Sequence, residues 1–194
     1  MSYSQTETAA LVQRAAVGAG LTLGLAEEIA EACLWLFQHG APGANAVADA
    51  LAGLALDTGH DPFTRAAVDV PARLDMALGL ALASGEAKVS LKRVDVPLLA
   101  MGLAALRAAQ LELSASVYDA SHRSLDVATA PIGPADLSIQ FEARTATPNP
   151  PALGRCRFDD AVYARLDALA RNTLTPASET SRRSGAGAGL TDSD

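Results

Sequence analysis

The chain has 194 residues, with 22 acidic against 15 basic side chains, a formal net charge of -7 and an isoelectric point near 4.9. That length suits one domain with a single buried core, and the acidic balance excludes a nucleic-acid footprint, which needs clustered Lys and Arg to displace counterions from phosphates. Apolar residues make up 49% but aromatics only 4%, so the core is one of Ala and Leu, a composition that favours closely approaching helices.

Ser4-x-x-Glu7 has the form of a capping box and opens a helix predicted from about Gln5 to Val17, with Leu11, Val12, Ala15 and Ala16 on its stripe and Gly18-Ala19-Gly20 as its stop. The stretch "GLAEEIAEACLWLFQHG" sets Leu25, Ile29, Ala32, Cys33, Leu36 and Phe37 along one side. Glu27, Glu28 and Glu31 stand near its start, where carboxylates favour the helix dipole, and the helix should end at His39-Gly40. A third helix, about Ala44 to Leu56, carries Val47, Leu51 and Leu54 up to the "TGHDP" turn. Leucines 74, 78 and 82 predict a fourth between Pro71 and Gly85, weakened by about 1 kcal/mol at Gly79.

The period then changes. "KVSLKR" alternates, "VPLLAMGLAALRAAQ" reads as a short helix opening at Pro97, and "LELSASVYD" and "DLSIQFEAR" alternate cleanly. Leu111, Leu113, Ala115 and Val117 share one face of the first of these strands, and Leu137, Ile139, Phe141 and Ala143 one face of the second. "SLDVAT" is a third strand candidate, with Leu125 and Val127 inward. "FDDAVYARLDALARNT" is a last helix with Asp159 or Asp160 at its cap and Val162, Leu166 and Leu169 buried. Strands with one polar face, joined by short turns, make an antiparallel sheet covered on one side. The fold class is α+β: N-terminal helices packed on one face of the sheet, then a C-terminal helix and a Gly-rich tail. Residues 1–174 are expected to form a single α+β domain and 175–194 a Gly/Arg tail.

Cys33 and Cys156 form no Cys-x-x-Cys pair, so neither a zinc site nor a redox dithiol is indicated, and a reducing cytoplasm fits. No cofactor motif and no metal-ligand spacing is present: a Walker loop, a dinucleotide fingerprint and a Gly-x-Ser-x-Gly elbow are all missing. The start "MSYSQTETAA" has no signal-peptide pattern, and no window is apolar enough to predict a membrane span. His39, His60 and His122 stand beside turn residues and no two lie at i and i+4, which reads as solvated loop histidine. Cys156, between Arg155 and Arg157, has the more electropositive setting, but no base is placed beside it.

The candidate chemistry rests on carboxylates and arginines. Glu27 and Glu28 are candidate acid/base residues, since neighbouring charges push carboxylate pKa values apart. Against that, adjacent helix positions point about 100° apart and acidic residues are common in a first turn for the dipole alone. Arg14, and in the tail Ser181, Arg182, Gly185, Gly187, Gly189 and Asp192, are candidate ligand-binding residues: glycines admit close backbone approach, and Arg holds a carboxylate or phosphate with two bonds. A flexible terminus explains the tail's composition as well.

The stretches "RAAVGAG" (Arg14 to Gly20), "GLAEE" (Gly24 to Glu28) and Trp35, with "PASETSR" and "GAGAGLTD" at the C-terminal end, resemble a bacterial domain-of-unknown-function family of about this length. The resemblance departs at Leu23 and Thr175, where the family pattern has an aromatic. It implies that the tail is a family feature, docked rather than loose, and names no substrate. The expectation is a cytoplasmic small-molecule-binding or accessory protein of metabolism, a homo-oligomer or accessory subunit taking a small anionic ligand. The alternative is a catabolic enzyme acting on an anionic substrate, with a Glu acid/base and an Arg anchor.

Overall fold

The structure, a computed structural model, describes residues 2–56, 74–79, 88–143 and 154–173. Helix α1 (Gln5–Gly18) begins with the expected capping box: Glu7 N donates to Ser4 Oγ at 3.1 Å and Ser4 N donates to Glu7 Oε2 at 2.7 Å. Two otherwise orphaned donors are thereby satisfied. Helix α2 (Leu23–Gln38) follows, and α1 and α2 end alike. Leu21 N donates to Ala16 O at 3.1 Å and Ala41 N to Leu36 O at 2.9 Å, closing Schellman turns through Gly20 (φ 95°) and Gly40 (φ 76°). Helix α3 spans Gly43–Leu56, and residues 74–79 are helical (α4), with Leu74 and Leu78 buried. Position 82 of the leucine series lies outside the described residues.

Strand β1 (Ser2–Tyr3) precedes α1; β2 (Lys88–Val94), β3 (Leu113–Asp119), β4 (Ser124–Leu125) and β5 (Ala135–Ala143) form a four-stranded sheet in the order β2-β5-β3-β4. Its pairs are antiparallel, with Val89 and Val117 both opposite Ile139. Along β5, Leu137, Ile139 and Phe141 are buried while Ser138, Gln140 and Glu142 face the other way, as the alternation predicted. Helix α5 (Pro97–Gln110), opened by its proline, packs against β3 and β5, and α2 and α3 pack on α5. The fold class is therefore α+β, with α5 as the helix seated on the sheet. Full burial of side chains such as Ile139, Phe141 and Leu99 stabilises the layer by about 1.5–3 kcal/mol each.

Helix α6 (Asp160–Ala170) and a 3₁₀ turn at Arg171–Thr173 close against α1. Strand β6 (Cys156–Arg157) pairs with β1, a short ladder the sequence pattern did not predict. Tyr3 explains its place: the ring stacks on Phe158 at 4.7 Å and on Tyr163 at 5.2 Å, which ties the N-terminus to the last helix.

Two strand expectations need correction. Leu111 is exposed and caps α5; Glu112 takes a positive φ of 56°, and β3 begins only at Leu113. The "SLDVAT" strand stops at Leu125 because the Asp126 carboxylate accepts from Ala128 N and Thr129 N, at 2.9 and 2.8 Å, and turns the chain.

Candidate functional site

The two helix carboxylates face different partners. Glu27 is exposed and accepts from Gln13 Nε2 of α1 at 3.3 Å, whereas Glu28 turns toward α5, where Arg107 Nη2 lies 3.4 Å from its Oε1. Their separation follows from the 100° between consecutive helix positions. Arg107 also grips Asp75 of α4, Nε to Oδ1 at 2.6 Å and Nη2 to Oδ2 at 2.9 Å, and donates to Gln110 Oε1. One guanidinium thus joins α2, α4 and α5, with only 22% of its side chain exposed. Glu28, Arg107 and Gln110 edge a cavity of about 10 Å³, which is room for about one water. Arg14 stands apart, its Nε donating to Ala10 O of its own helix at 3.1 Å.

Ser181, Arg182, Gly185, Gly187, Gly189 and Asp192 lie outside the described residues, as does His60. His39 stacks on Trp35 at 3.9 Å between ring centroids, and its Nδ1 bonds the Trp35 carbonyl at 2.8 Å. Both thiols are buried; burial, and then the neighbouring Cys156, push the Cys33 thiol far above its ordinary range. Cys156 lies between two arginines in sequence, but β6 turns it inward and Arg155 reaches to Ser2, its Nη2 donating to the carbonyl at 2.7 Å.

A larger concavity lies on the sheet face opposite α5, an open cleft of about 180 Å³. The alternation that buries Val89 and Leu91 turns Lys88, Ser90 and Lys92 of β2 to this side, and Ser90 stands directly across from Ser138 of β5. Residues i and i+2 of a strand share a face roughly 6.6 Å apart, so the two lysines flank the serine pair. Ser138 Oγ is buried and has no hydrogen-bond partner among the described residues.

The rim is built by two bent segments. In β2 a bulge between Leu91 and Val94 puts Arg93 at φ 48°; its N–H donates to Asp136 Oδ1 at 2.8 Å while Lys92 Nζ pairs with Asp136 Oδ2 at 2.9 Å. These two bonds, the backbone one foremost, hold the Asp136 carboxyl below its usual range. In the β3–β4 turn, which presents His122 to the cleft, Asp119 accepts from Arg123 N and Ser121 N, at 3.0 and 2.8 Å, and pairs with the Arg123 guanidinium at 2.7 Å. The Arg123 N–H is the main cause of the lowered Asp119 pKa. Lys88 and Lys92 thus line the cleft with Asp119 and Asp136, and both of these carboxylates are already engaged, Asp119 by Arg123 and Asp136 by Lys92 and the Arg93 N–H. Sequence reasoning attended to the apolar positions of these strands. The signal it passed over was the polar parity of "KVSLKR", which sets Lys88, Ser90 and Lys92 on one side.

Residues 3–95 match the family described as a protein of unknown function (DUF3726). The match covers a little under half of the chain, and the resemblance at Arg14 to Trp35 falls inside it. Neither a curated protein nor a solved structure matched the chain. Among the described residues no group of His, Cys, Asp and Glu is spaced to hold a metal ion, and no helix is long and apolar enough to cross a membrane.

Proposed function

We propose that the chain is a small-molecule-binding or accessory protein whose ligand sits in the cleft on the solvent face of the sheet. The observation that carries this reading is the convergence of polar groups from β2, β5 and the β3–β4 turn around a concavity of about 180 Å³. Ligand sites combine such a concavity with a few placed polar groups. The helix seam at Glu28 and Arg107 has room for about one water. The enzyme reading, with Glu28 as acid/base, would require that seam to open. Two buried, unpaired thiols suit the reducing cytoplasm proposed for the chain.

The test is an amide-resolved NMR titration of the whole chain with a panel of small charged and neutral metabolites. Saturable shifts at residues 88–92, 119–122 and 136–138 are expected for at least one compound. Saturation at residues 28, 75 and 107 instead, together with a loss of that binding in Glu28→Gln, would move the site to the helix seam.

A further inference from the structure

The geometry points to a compact oxyanion as the ligand of the cleft: a phosphate group, free or as a small phosphomonoester, held by Lys88, Lys92, Ser90 and Ser138. This assignment rests on the cleft being the binding site. Its first support is charge. The chain is acidic overall, yet two lysines line this cleft and both of its carboxylates are already occupied. Asp119 is paired with Arg123, and Asp136 with the Arg93 N–H and Lys92. Lys88 makes no ion pair among the described residues, so its ammonium is available to an incoming anion. Glu142, further along this face of β5, is engaged by Gln140, whose Nε2 donates to it at 3.1 Å.

The second support is the distribution of donors. Ser90 and Ser138 face each other across the β2–β5 ladder, where opposed Cβ atoms lie about 4.5–5.5 Å apart. The lysines stand two residues to either side of Ser90 on the same face. Two hydroxyls with an ammonium at each end of the row suit a ligand with several acceptor oxygens and more than one negative charge. The third support is Ser138 Oγ, a buried hydroxyl without a partner among the described residues. Such a group carries a desolvation cost that a bonded ligand removes, and neutral interstrand packing gives no reason to place it there. His122, in the αL conformation at φ 59°, borders the same cleft.

The experiment titrates the full chain with inorganic phosphate, with glycerol phosphate and with neutral glycerol, each against sodium chloride at matched ionic strength, by amide-resolved NMR. Saturable shifts at residues 88–92, 119–122 and 136–138 are expected with one or both anions and not with chloride. The anion that saturates at lower concentration identifies the source. Lys88→Gln should weaken that binding at least about tenfold, the loss of roughly one charge-assisted bond. Ser138→Ala should weaken binding while leaving the unliganded chain at least as stable, because it deletes an unsatisfied hydroxyl. A merely structural serine would give the opposite pattern. Cleft shifts with glycerol but with neither anion would overturn the oxyanion assignment and leave the cleft as a binding site, while silence of these amides to all three compounds would overturn both. Undiminished phosphate binding in Lys88→Gln and Ser138→Ala would likewise reject this set of ligand contacts.

Discussion

Substitution of Gly18 by Ala tests the packing logic of the family-matched segment directly. A Cβ built on Gly18 would lie 1.9 Å from the Leu169 carbonyl oxygen and 2.8 Å from its carbon. Carbon–oxygen contacts between packed elements settle near about 3.3 Å, so α1 and α6 would have to part by roughly 1.4 Å. Both partners are backbone, and Asn172 Nδ2 donates to Gly18 O at 3.1 Å across the same joint, so no flexible side chain can absorb the shift. Overpacking costs about 1–3 kcal/mol, and we take the upper end here; the better helix propensity of Ala returns at most about 1 kcal/mol. The expected net loss of about 2 kcal/mol lowers Tm by roughly 4–8 °C in a chain of this size. Thermal and urea melts of Gly18→Ala should be run beside Gly24→Ala, whose added Cβ meets nothing within 4 Å and should stabilise by about 0.5–1 kcal/mol. A Gly18→Ala protein as stable as the parent would refute the close approach of the two helices as the reason for the glycine.

Arg107→Ala should destabilise by about 1–2 kcal/mol, less than the 3–5 kcal/mol of a fully buried pair, because Glu28 and Asp75 lose their shared partner; a double variant with Glu28→Gln should recover part of the loss in urea melts. Neither thiol should react with a disulfide reagent in the native protein, and both should react after denaturation, since both are buried and burial pushes the Cys33 thiol up; fast native labelling of one would contradict this. Glu7, Asp119, Asp126 and Asp136 all have carboxyls held below their ordinary range. Their contribution to stability is therefore full above about pH 4 and lost as pH falls through the depressed folded values, so urea midpoints should fall with acid, and less steeply in Asp136→Asn. Finally, a fragment ending at residue 95 should show no cooperative melt, because β2 would lack β5, α1 would lack α6 and α2 would lack α5.

Much of the architecture was legible because local rules and burial agree. The capping box, the Schellman glycine at 40, the proline opening α5 and the alternation of β5 each have a physical cause inside a few residues. What was not legible depends on partners distant in sequence. β1 and β6 are strands only because residues 2–3 meet residues 156–157, and two residues carry no periodicity to read. The sequence also set Glu27 and Glu28 beside each other without indicating that one faces Gln13 and the other Arg107, since the second partner is brought by α5. For the cleft, strand parity was available but pairing was not: Ser90 faces Ser138 only through the β2–β5 register.

That register turns on one extra residue. Leu91 pairs with Leu137 but Val94 pairs with Ala135, so β2 spends one residue more than β5 over the same interval. Regular alternation would turn Arg93 inward beneath the sheet and Val94 to solvent. The bulge prevents both: Val94 is fully buried, and Arg93 is exposed. A non-glycine residue at φ 48° costs on the order of 1–3 kcal/mol, and the N–H released from the ladder is not lost, because Asp136 accepts it at 2.8 Å. Asp136 in turn holds Lys92 at the edge of the cleft. The strain therefore reconciles two demands on a seven-residue strand, an apolar residue for the core at 94 and a fixed ammonium for the cleft at 92. The match to the family, which ends at residue 95, includes this bulged strand but not the strand that gives it a register.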